Sequence, residues 1–69
     1  MPAVGLVVLN GEPFATEAAT LGELCVNLGL AEAKIATAVN GSFIPASTRA
    51  ATQLAPADEI EIVAPRQGG

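Results

Sequence analysis

The chain has 69 residues, of which 51% are apolar, so it forms one domain with an aliphatic core; Phe14 and Phe43 are its only aromatic residues. Net charge is −4, and the three basic residues, Lys34, Arg49 and Arg66, are scattered. Such a chain lacks the clustered cations that neutralise phosphates, which excludes nucleic acid as a partner and favours a basic protein surface.

The first element expected is a strand over Val4–Leu9, VGLVVL, an apolar run of strand length. Asn10-Gly11 follows, and both residues tolerate positive φ, so the chain should return as a hairpin strand over Glu12–Glu17. Pro13 cannot donate a ladder hydrogen bond, which puts this second strand at a sheet edge. Thr20 and Glu23 have the spacing of a capping box. Leu21, Leu24, Cys25 and Leu28 then form one face of a helix of about two turns. Gly29 suits the left-handed position that ends it. Gly22, in the first turn, lowers intrinsic helix stability.

A third strand is expected over Ile35–Val39, and Asn40-Gly41 turns it into a short return over Ser42–Ile44 that Pro45 stops. Residues 46–57 are poorly periodic, with Leu54 as their apolar anchor and Pro56-Ala57-Asp58 as a turn. Glu59–Val63, EIEIV, alternates strictly, so Ile60 and Ile62 should face the core and Glu59 and Glu61 the solvent. One helix crossing one mixed sheet of four to five strands gives a two-layer α+β fold. The domain is expected to span residues 1–65, with residues 66–69 as a flexible tail.

Few residues offer chemistry. There is no His, and Cys25 is the only cysteine, which leaves no disulfide, no metal cluster and no nucleophile–base pair. Cys25 lies on the apolar helix face and reads as a small buried hydrophobe. No phosphate-binding glycine loop occurs, so no nucleotide cofactor is expected on the chain itself. No signal-peptide pattern or membrane-spanning run is present, and the expected setting is the cytoplasm. Phe43 and Ile44 are successive on a short strand, so one of them should lie outside, in company with Val63 or with part of Val4–Leu9.

The end of the sequence, Pro65-Arg66-Gln67-Gly68-Gly69, is the most informative stretch. Average glycine usage gives two terminal glycines by chance in roughly 0.5% of chains. A Gly-Gly end has no side chain, can thread a narrow channel in another protein, and presents a carboxylate without a Cβ beside it. On this reading Gly69 is the group acted upon, and the domain is its handle.

The ordered pieces Leu9-Asn10-Gly11, Thr20-Leu21-Gly22-Glu23-Leu24, Ala38-Val39-Asn40-Gly41, Ile44-Pro45, Asp58-x-Ile60-Glu61-Ile62-Val63 and Gly68-Gly69 together resemble the sulfur-carrier proteins of thiamine biosynthesis, the ThiS family. The resemblance implies a ubiquitin-like β-grasp fold. It implies that a ubiquitin-activating-type adenylating enzyme uses ATP to form an acyl-adenylate at Gly69. Sulfur delivered by a cysteine desulfurase system then leaves a thiocarboxylate, and thiazole synthase takes up that sulfur. Arg66, Gln67 and Gly68 would line the partner's channel, and Phe43, Ile44 and Val63 would form the docking surface. Ala57-Asp58 departs from the Gly-Asp pair that the family often has before its last strand. The small subunit of molybdopterin synthase and sulfur carriers for other end products, such as cysteine or methionine, are the rivals within the fold. A lysine-conjugating modifier and a binding module with an inert tail are rivals outside it.

Overall fold

In the computed structural model, which describes residues 5–31 and 34–64, five strands and one α-helix form two layers. The strands are β1 (Gly5–Leu9), β2 (Glu12–Thr16), β3 (Ala36–Val39), β4 (Ser42–Ile44) and β5 (Glu59–Val63). They lie in the order β2-β1-β5-β3-β4. β1 and β5 run parallel, and the other neighbours are antiparallel. β2 takes the edge, as Pro13 requires, and the last strand in sequence takes the centre.

Both hairpins turn through Asn-Gly pairs with positive φ at both positions, 51° and 87° at Asn10-Gly11 and 52° and 85° at Asn40-Gly41. These two-residue turns match the twist of the strands they join, and they fix the register. Val7 therefore sits opposite Phe14, and Thr37 opposite Ile44, each pair on the covered face.

The helix α1 (Leu21–Asn27) lies on that face and buries Leu21, Leu24 and Cys25. Thr20 caps it: Oγ1 accepts the Glu23 N–H at 3.1 Å. The Glu23 carboxylate reaches back to the Ala19 N–H, one residue before the expected capping-box partner. At the other end Gly29 takes φ 78°, and the N–H groups of Gly29 and Leu30 bond the carbonyls of Val26 and Cys25. That is the paired arrangement of a glycine-terminated helix.

Residues 46–57 are more ordered than their pattern suggests. Ala46–Ala51 forms a 3₁₀ helix with none of its residues buried. Apolar periodicity carries no signal there because nothing in the segment enters the core. Arg49 ties it down instead, donating from Nε to Thr37 Oγ1 at 3.0 Å and from Nη2 to the Ile35 carbonyl at 2.8 Å. Leu54 is buried, as its anchor role requires. The Leu21 and Leu54 N–H groups bond Thr52 and Ala19 carbonyls, joining the start of the helix to the returning chain. In the turn before β5, Ala57 holds φ 70°, the left-handed region that favours glycine. The Asp58 carboxylate steadies this turn by accepting the Ala55 N–H at 2.7 Å.

Gly22 has a structural reason. A Cβ there would lie 3.0 Å from Ala50 Cα and 3.2 Å from Ala50 N. The helix and the 3₁₀ segment approach too closely for a methyl group. Helix propensity alone favours Gly22→Ala by about 1 kcal/mol. The packing reverses the sign, and we expect a net loss of roughly 1–2 kcal/mol, measured as a lowered midpoint in urea denaturation.

Candidate functional site

The alternation in β5 divides it between two environments. Ile60 and Ile62 enter the core, and Glu59, Glu61 and Val63 stand on the sheet face that the helix leaves open. Cross-strand pairing places Glu61, Ala38 and Phe43 in one row on that face, and Val63 and Ala36 in the next. Phe43 is 68% exposed and Val63 58%. The two alanines between them are too small to break the surface, so the large apolar groups stand clear, with two carboxylates alongside.

Ile44 faces the other way, half-buried against the core. Strand geometry separates it from Phe43, so of the expected docking trio the structure brings Phe43 and Val63 to one face and puts Ile44 beneath them. Leu6 is also on the open face and exposed, near the start of β1. Arg66, Gln67, Gly68 and Gly69, together with Pro65 at the end of the expected domain, lie outside the described residues.

What is described is the strand that leads to them. β1 pairs with β5 only at Val8↔Glu59 and Leu9↔Ile60. Beyond that point Asn10 takes over: its Oδ1 accepts the Ile62 N–H at 2.9 Å, and its Nδ2 donates to the Ile62 carbonyl at 3.2 Å. Asn40 acts on the opposite flank at the start of β5, where its Oδ1 accepts the Glu59 N–H at 2.9 Å and its Nδ2 donates to Asp58 Oδ1 at 3.0 Å. Reading both asparagines only as turn formers misses these bonds. The usable signal is the residue type, since glycine would make the same turn with no side-chain amide.

The covered side carries no comparable reactive arrangement. Thr37 is fully buried and satisfied, donating to the Ile44 carbonyl at 2.8 Å while accepting from Arg49. Cys25 is 3% exposed. Burial pushes its thiol above the usual value, and the nearby Arg49 charge opposes this in part. Among the described residues, no three of His, Cys, Asp and Glu gather as a metal site would need, and no helix is long and apolar enough to cross a membrane.

The model of the ThiS family matches residues 7–69. The chain belongs to the ThiS family. Members of that family are sulfur carriers of thiamine biosynthesis and not enzymes, and this chain is one of them. The fold is similar to the crystal structure of the thiamine biosynthesis protein ThiS from Geobacter metallireducens, with a TM-score of 0.77 and 25% identity. That likeness covers 93% of this chain and 99% of the other. The β-grasp arrangement of the family is thus the fold described above. A search of curated proteins finds no match.

Burial favours the neutral form of Cys25. Because its folded-state pKa is raised, the stability it contributes is present below the ordinary thiol value of 9.0 and is lost as pH rises above it. Denaturant unfolding between pH 7 and 11 should show this alkaline loss, and Cys25→Ala should flatten it.

Proposed function

We propose that the carboxylate of Gly69 is the group that carries sulfur. The family match running through Gly68-Gly69 at residue 69 is the observation that carries this reading. A carboxylate oxygen of Gly69 attacks the α-phosphorus of ATP bound by a ubiquitin-activating-type enzyme, and pyrophosphate leaves. The terminal sulfur of a persulfide, supplied by a cysteine desulfurase system, attacks the acyl carbon and displaces AMP. A second thiol then cleaves the resulting acyl disulfide. It releases the thiocarboxylate and itself ends in a disulfide with the former persulfide thiol. Thiazole synthase accepts the sulfur. This chemistry suits the cytoplasm, where thiols stay reduced. The chain supplies the acyl group, and its partners supply ATP, nucleophile and reductant.

Arg66, Gln67 and Gly68 would run through the activating partner's channel, where glycine next to the reacting carbon removes steric hindrance. Docking would use the open sheet face. Phe43 and Val63 offer apolar contact, and Glu59 and Glu61 call for lysine or arginine on the other side. Ile44 would support Phe43's strand from the core side rather than touch the partner.

The decisive experiment incubates the protein with such an adenylating enzyme, ATP and a sulfur source, and follows intact mass and the mass of the peptide beyond Arg66. Oxygen-to-sulfur exchange on that peptide is expected. An unmodified terminus, with the enzyme active on another carrier, overturns the reading. Phe43→Glu should leave stability within about 0.5 kcal/mol. It should raise KM for the carrier in adenylation roughly tenfold, read from pyrophosphate release.

A further inference from the structure

We propose that Asn10 is a positioning residue for the C-terminal carboxylate, because its carboxamide fixes the point at which the chain leaves the sheet. The inference rests on the reading that Gly69 reacts.

Three observations support it. First, the β1 ladder reaches only Leu9↔Ile60, and past it the Ile62 peptide has no strand on that side. Asn10 fills the place of one: a carboxamide offers an acceptor and a donor side by side, as a peptide does, and both are used on Ile62. Second, on the other side the last pair is Ala36↔Val63. Among the described residues, Ile62 and Val63 are therefore the last held on either flank. Third, Asn40 makes a similar clamp where β5 begins, at Glu59. Both asparagines adopt nearly the same left-handed φ. If the amides served stability alone, the two would be equivalent. They differ in partner and place: Asn10 bonds both polar groups of the Ile62 peptide near the end of β5, and Asn40 bonds the Glu59 N–H and the Asp58 carboxylate at its start.

The consequence is mechanical. From Ile62 the chain to Gly69 spans at most about 25 Å. Releasing the Ile62 peptide lets β5 fray and lengthens the free segment. A longer segment dilutes its own end at a fixed point in a docked partner. The open face would still dock, so binding would be spared and the chemical step would suffer.

The test compares Asn10→Gly with Asn40→Gly, since glycine keeps the turn and removes only the amide. Asn10→Asp is the second variant, keeping the acceptor for the Ile62 N–H and losing the donor to its carbonyl. Amide hydrogen exchange read by NMR should quicken roughly five- to tenfold at Ile62 and Val63 in Asn10→Gly. Asn40→Gly should leave exchange there unchanged. In adenylation by the partner enzyme, Asn10→Gly should lose about three- to tenfold in kcat with KM within about twofold. Asn10→Asp should fall between it and wild type, and Asn40→Gly should keep both constants despite a similar loss of thermal stability. Equal kcat losses in the two glycine variants, or unchanged exchange at Ile62 and Val63 in Asn10→Gly, overturn the inference. A wild-type chain that is never adenylated overturns the functional reading instead, and the exchange comparison still decides whether Asn10 alone sets the exit.

Discussion

Ile60 and Ile62 are buried on one face of a strand whose two flanks are both paired, and the rest of the domain is built around that strand. β5 is held by β1 on one side and β3 on the other, with an asparagine amide at each end of its span. Its inner face closes the core against Leu21 and Leu24 of the helix. Its outer face adds Glu61 and Val63 to the open surface, and its end leads toward the terminal residues for which the sulfur chemistry is proposed. One strand thereby joins core, open face and tail, so a change in its register would disturb all three.

Small domains have little core from which to draw stability, and here short side-chain bonds supplement it. Arg49 joins the 3₁₀ segment to β3 through Thr37 and the Ile35 carbonyl. Asp58 secures a turn in which Ala57 holds a conformation that glycine would take more readily. These bonds all lie away from the open face. That face carries two carboxylates, Glu59 and Glu61, and three large exposed apolar groups, Leu6, Phe43 and Val63.

The sequence carried the regular elements in forms that short-range physics decodes. Asn-Gly turns, a Thr20 cap, Gly29 and the EIEIV alternation each act within a few residues, and each appears where its pattern puts it. The 3₁₀ segment was not legible, since Ala46–Ala51 has no buried side chain and is held by its own Arg49, which reaches Thr37 and the Ile35 carbonyl. The amide clamps on β5 were hidden for the same reason: Asn10 and Ile62 are 52 positions apart. Gly22 looked like a weakness until Ala50 was found against it. As for the site, Phe43 and Ile44 could be separated by strand parity, but which of them faced outward depended on the side the helix covers. The reading of the tail rests on its glycines and the family pattern alone, and residues 65–69 lie outside the described residues.

The parallel pairing of β1 with β5 also governs how the molecule comes into being. The first strand waits for a partner some fifty residues later in the chain. Until β5 is synthesised, β1 has an open flank and the core lacks Ile60 and Ile62. The hairpins and the helix can form early because their contacts are local, but the sheet closes last and slowly. A product cut short before β5 would keep that open flank and remain an unclosed sheet exposed to proteolysis.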